Sequence, residues 1–276
     1  MLSINDTESL LSKISSEITD SNLGYFSKPF RCKHEGRELM IKKYLPVKDL
    51  ALINAIITNH NEYIRELKAT GIKVPDTLIE VQKDKKGYQI IIIQEAFRKD
   101  ELFRDKVEKA GDTDIISLCS LILDETIRFI SNRKDPAGIG FHPTLRNYAL
   151  HEGELWYFDT FPPMLMRQNE LNKVIIRMSP FGRIIKPLIP VKFINLVSNE
   201  YYNFEKMFTG IVGSLCRLRP ELSSAVLAFS KEYITNSRCS FQEKNNILKK
   251  LESPPHLPGI WTFFRRLSGN EGKPNI

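Results

Sequence analysis

Apolar positions along the chain change period several times, and each change predicts an element. Residues 6–19 carry Leu10, Leu11, Ile14 and Ile18 at helical spacing behind a capping Asp6 or Thr7. The turn cluster Ser21-Asn22-Leu23-Gly24 leads into two strands joined at His34-Glu35-Gly36, the second spanning 38–44 before Pro46. A helix over 47–70 presents Ile53, Ile57, His60, Ile64 and Leu67 on one face and stops at Gly71. Pro75 opens another strand, a turn follows at 84–87, and YQIIIIQEAF is then apolar on both faces, as a central strand is. After Phe97 the period becomes helical, with a long, well-buried helix over 113–132. Gly138-Ile139-Gly140 ends the connection after it, and two short strands, NYAL and LWYFD, flank a turn at 151–154. Further helices are predicted at about 191–207, 208–217, 220–235 and 241–251, with a loose tail from Ser268.

This order is α+β: strands and one helix first, helices and a small hairpin afterwards. It divides at the long apolar strand into a sheet-rich lobe, 1–97, and a helical lobe, 98–276. The first holds the N-terminal helix, a small antiparallel sheet and one long helix; the second holds the hairpin. At 42% hydrophobic residues the chain has material for a sizeable core, which excludes a disordered class. The net charge of +7 and pI of about 9.1 favour anionic ligands without choosing among nucleotides, nucleic acid and acidic membrane surfaces. Cys32, Cys119, Cys216 and Cys239 form no CxxC pair, so structural zinc and a redox dithiol are not expected, and a reduced cytoplasmic protein is. The N-terminus lacks the basic and apolar regions of a secretory signal, and no apolar run reaches the ~18 residues of a membrane span.

The chemistry concentrates in GFHPTLRNYAL, the turn HEGE, and LWYFDTF, residues 140–161. Asn147 precedes the first strand of the hairpin and Asp159 follows the second, which brings their side chains next to each other. One carboxylate and one amide carbonyl suffice for magnesium, which keeps several waters and shares phosphate oxygens. On the strand at 38–44, alternation puts Met40 and Lys42 on one face.

With these residues the chain resembles the protein-kinase-like superfamily, nearest its aminoglycoside phosphotransferases and small-molecule kinases, over about 20–165. The resemblance implies a bilobal fold with a sheet-rich N-lobe and a helical C-lobe. It implies ATP and magnesium as cofactors and a small-molecule acceptor. Asp159-Thr160-Phe161 stands in the place of the DFG motif and Asn147 in that of the metal-binding Asn, so both would hold metal. Lys42, rather than Lys43, would hold the phosphates, and Met40 would touch the base. The hinge from Gln94 to Phe97 would bond the base through Glu95 and Phe97, and the segment ending at Ser27 would cover the phosphates. His142 stands five residues before Asn147, where the family has its catalytic Asp. With Asp159 it would form the catalytic pair, because an imidazole accepts a proton near neutral pH. His60 occupies the place of the helix Glu that pairs with the lysine, with Glu62 nearby. Phe161 replaces the glycine of DFG and is followed by Pro162-Pro163.

Each of these residues has a plainer reading. Asn147 and Asp159 also suit a turn and a strand-end cap, His142 a polar loop pocket, and His60 a hydrogen-bonded core position. A catalytically inactive pseudokinase, binding nucleotide or a partner, is therefore the alternative to a phosphotransferase. The basic and apolar stretch 177–194 suits packing, an acceptor pocket or peripheral membrane contact, and its prolines interrupt any amphipathic helix. HLPGIWTFFRRL near the C-terminus is similar. No nucleic-acid motif accompanies these residues, so no specific nucleic-acid partner is expected.

Overall fold

In the computed structural model the described residues are 27–135, 138–165 and 200–256, with Val174 and Met178. The predicted helix at 6–19, the glycine turn before Ser27, residues 191–199 of a predicted helix and the segment after His256 lie outside them. Apart from Met178, so does the stretch 177–194. The fold is α+β: a four-stranded antiparallel sheet, a small two-stranded sheet and helices, in two compact units.

The first unit comprises Met1–Arg98, Arg133–Gly140 and Trp156–Asn199. Its strands are β1 (Ser27–His34), β2 (Arg37–Tyr44), β3 (Thr77–Asp84) and β4 (Gly87–Glu95), in the order β1-β2-β4-β3. Glu35 and Gly36 close the first hairpin with φ of 49° and 78°, the primed turn whose twist matches its strands and where glycine carries a positive φ at no steric cost. The run of four isoleucines makes β4 central, paired to β2 and β3. Phe30, Leu39, Ile41, Ile91 and Ile93 form the core on one face of the sheet. Alternation turns Met40, Lys42, Tyr44, Ile92 and Gln94 to the other.

Helix α1 (Leu50–Ala69) starts where Asp49 accepts a hydrogen bond from the Leu52 amide at 3.0 Å. It starts later than its apolar pattern suggests because Val47 exchanges two 2.9 Å backbone bonds with Tyr88. Its buried stripe is Ile53, Ile56, His60, Tyr63 and Leu67, with Ile57 and Ile64 only half-buried. Steps of three and four residues follow the 3.6-residue turn, so Ile56 and Tyr63 lie on the stripe and Ile57 and Ile64 one position off it. Asp49→Ala removes the cap and is expected to cost about 1 kcal/mol in urea denaturation; an unchanged midpoint would show that the helix start is held by Val47 alone.

The second unit comprises Lys99–Asn132, Phe141–Leu155 and Glu200–Ile276. It holds α2 (Phe103–Lys109), which the sequence pattern did not predict, and α3 (Asp112–Asn132), as predicted to within a residue. It also holds α4 (Phe204–Leu218), α5 (Ser223–Asn236) and α6 (Phe241–Lys250). The expected break at 207/208 is absent: Asn203 caps α4, and Met207, Phe208, Ile211, Val212 and Leu215 form one buried stripe through it. The small hairpin pairs β5 (Tyr148–His151) with β6 (Glu154–Tyr157) through Glu152-Gly153, and the boundary between units falls within β6. Beside β5, Phe141 stacks on Phe129 at 4.5 Å and meets Tyr148 edge-on at 6.4 Å. Among the described residues no helix is long and apolar enough to cross a membrane.

Candidate functional site

Strand alternation aims Lys42 away from the apolar core of the sheet, and the side chain is buried at 8% exposure. Its Nζ donates to the Phe158 carbonyl at 2.8 Å and lies 5.5 Å from the Phe158 ring centre. Lys43, one residue on, faces the opposite way, over the Phe30 ring at 5.8 Å. Of the two lysines, Lys42 is therefore the one that meets the Phe158 carbonyl and Asp159. The Asp159 carboxylate lies within its electrostatic reach, just beyond the end of β6. Burial lowers the Lys42 pKa and the negative charge of Asp159 only partly restores it. Burial likewise raises the Asp159 pKa against the pull of Lys42. Desolvation thus outweighs the attraction between the two groups.

His60 is fully buried and shares a 2.9 Å hydrogen bond, through Nε2, with Thr160 Oγ1. Its Nδ1 has no hydrogen-bond partner among the described residues. Burial first, and the Lys42 charge second, push His60 down to about 3, so it is neutral at pH 7. Glu62 instead pairs with Arg65 at 2.9 Å on the exposed side of α1. The lysine therefore has no carboxylate from the helix: a carbonyl holds it, while the helix grips the residue after Asp159. Tyr44 packs on Phe161 with ring centres 4.0 Å apart, and its hydroxyl is bonded to Ser27. Burial and the Asp159 charge raise the Tyr44 pKa well above its usual value.

Residues 94–97, at the end of β4, lie close to the same cluster. The Phe97 ring packs 6.1 Å from that of Phe158, and its carbonyl accepts from the Arg31 guanidinium. Glu95 is exposed; its amide donates to the Asp76 carbonyl at 3.3 Å, and the Ala96 amide to that of Glu38 at 2.9 Å. Lys42, Asp159, Ser27 and Phe97 thus gather around Phe158 and Tyr44, with Glu95 at the end of β4. The sequence pattern did not single out Phe158 or Tyr44, and it gave Thr160 and Gln94 no side-chain role, only a place beside Asp159 and at the start of the segment 94–97. Tyr44 was within reach of it, two residues from Lys42 on the same strand.

In the second unit, Asn147 Nδ2 donates to the His142 carbonyl at 2.9 Å and lies 3.5 Å from His142 Nδ1. Thr144 donates to the same carbonyl, and the Asn147 amide to that of Thr144, which closes a tight loop. Both side-chain contacts of Asn147 use Nδ2, leaving Oδ1, the atom a metal would need, outside them. The His142 ring packs at a tilt against Tyr201, with ring centres 4.7 Å apart, and burial pushes its pKa down to about 4.

An α+β fold with a buried lysine beside a half-buried aspartate, on the helix-bearing face of its sheet, is the class these features define. The chain belongs to the family of unknown function DUF6206, whose profile spans residues 12–272. No curated protein matches it. Among solved structures it is similar to WaaP in complex with acyl carrier protein, at 11% identity over 81% of this chain and 92% of that one, with a TM-score of 0.35. At that score the two chain traces differ too much for residue roles to pass between them.

Proposed function

We propose that this protein is a kinase-like phosphotransferase that binds ATP with magnesium and acts on a small molecule. The observation that carries the proposal is Lys42, buried on a sheet face between the Phe158 carbonyl and Asp159. An ammonium has three donors and Phe158 takes one, so two are left for phosphate oxygens. Asp159 makes no hydrogen bond among the described residues, so its oxygens are free for a hard cation. Both groups fit a magnesium-bound polyphosphate. Bound magnesium would neutralise the phosphate charge that moves during transfer. On this reading Ser27 is a phosphate contact, and Glu95 and Phe97 meet the base. The resemblance implies a metal-ligand role for Asn147, through Oδ1, and a base role for His142.

His142 also favours a second reading. A base held at about 4 has little driving force to take a proton at pH 7, and a neutral imidazole brings no charge to orient a hydroxyl. That suits a pseudokinase that binds nucleotide without transfer. Thermal denaturation with ATP and magnesium tests what both share. At a hundredfold excess over Kd the midpoint is expected to rise by roughly 5–10 °C, and Asp159→Ala to abolish the rise. No rise in the wild type would refute nucleotide binding. Turnover of labelled ATP across a panel of small hydroxyl and amino acceptors then separates the two readings.

A further inference from the structure

Gln94 follows the four isoleucines of β4 and, unlike Glu95 after it, is buried, at 1% exposure. It stands opposite Met40 on β2 and Thr77 on β3, on the sheet face that carries Lys42. A relay of hydrogen bonds fixes which way its amide points. The Thr77 hydroxyl donates its only proton to the Pro75 carbonyl at 2.8 Å, so Thr77 Oγ1 can only accept from Gln94. Gln94 Nε2 is the donor, at 3.0 Å. Oε1 is thereby turned away from β3, and it makes no hydrogen bond among the described residues. A buried amide oxygen without a donor costs the fold free energy, and a ligand N–H recovers it.

We infer that Gln94 selects the base of the bound nucleotide by accepting a hydrogen bond from an exocyclic amino group, the 6-amino group of a purine. The inference rests on the nucleotide reading above and adds the specificity to it. Met40, directly across from Gln94, offers the apolar contact for the ring, and Lys42, two residues along the same face, takes the phosphates. A 6-oxo purine would set its oxygen against Oε1. Turning the amide over to meet it would force Thr77 to give up its bond to Pro75, so the wrong base leaves one buried group unpaired whichever way the amide turns.

The test is calorimetric binding of ATP and of inosine triphosphate, each with magnesium, to the full chain. The two differ chiefly in an amino group against an oxygen at the 6-position. The wild type is expected to bind ATP at least roughly tenfold tighter, the factor that one unpaired buried polar group imposes. Gln94→Met keeps the volume, removes the acceptor, and is expected to bring the ratio near one. Thr77→Val retains Gln94 but releases its amide to turn, and is expected to relax the ratio as well; it serves if Gln94→Met does not fold. Equal binding of both nucleotides by the wild type, or an unchanged ratio in the variants, overturns the role of Gln94 and leaves nucleotide binding standing. Binding of neither nucleotide overturns both.

Discussion

Lys42→Met is expected to destabilise the protein by about 1–3 kcal/mol at pH 7, and the double variant Lys42→Met/Asp159→Asn to recover at least the wild-type stability. Burial lowers Lys42 and raises Asp159 even with each other's charge nearby, so the fold holds both charges at a cost. Removing only the cation strands a carboxylate among Tyr44, Phe158 and Phe161. Breaking a fully buried pair costs about 3–5 kcal/mol, and Asp159 is only half-buried, so water moderates the loss. Neutralising both members removes the desolvation cost and leaves the Phe158 carbonyl without its donor, a smaller loss of about 1 kcal/mol. Urea denaturation of the four proteins closes the cycle. A double variant clearly less stable than the wild type, by more than the roughly 1 kcal/mol of the lost carbonyl bond, would show that the pair stabilises the fold outright. If the expected order holds and the double variant also loses its response to ATP, the pair is kept at the expense of stability, as a functional group would be.

Much of the sheet was readable because its signals are local. Four isoleucines between turn residues specify a central strand, and Glu35-Gly36 and Glu152-Gly153 specify tight hairpins whatever surrounds them. The face of α1 was read one position out at Ile57 and Ile64, since apolar residues cover more of that helix than it buries. The false break near residue 207 arose because Gly210 and Gly213 dilute the helical signal, while the stripe through Met207, Ile211 and Leu215 packs regardless of propensity.

The site was legible where chemistry is carried by strand parity. Met40 and Lys42 share a face by alternation, and the resemblance, which matches Lys42 to the strand lysine, implied the choice of Lys42 over Lys43. The partner of Lys42 was not legible, because it is a backbone carbonyl and no residue type announces one. Nor was the bond between His60 and Thr160, which joins residues 100 positions apart. The sequence gives the helix position of His60, and only the fold shows that it meets Thr160 instead of Lys42.

That buried histidine carries the second large expected effect, which is loss of stability in acid. His60 is held at about 3 and His142 at about 4, both below the ordinary 6.5. Below pH 6.5 the unfolded chain takes up protons at both residues and the folded chain does not, so stability falls as the pH falls. Each histidine contributes about 1.4 kcal/mol per pH unit, until the pH reaches its folded value. The half-buried His142 contributes the smaller share. Asp159 opposes them, since a raised carboxyl takes its proton in the folded state first and stabilises that state as the pH falls through its folded pKa. The net loss between pH 6 and pH 4 is therefore expected to be about 2–4 kcal/mol, a large part of the roughly 5–15 kcal/mol of a typical domain. His60→Gln removes the titration while an amide can still meet Thr160 Oγ1. Denaturant melts from pH 4 to pH 7 are expected to show its slope reduced by about 1.4 kcal/mol per unit. The same slope in both proteins would mean that His60 is protonated in the folded state. Its proton would then sit close to the Lys42 ammonium, and the neutral contact that links α1 to the Asp159 turn would be lost.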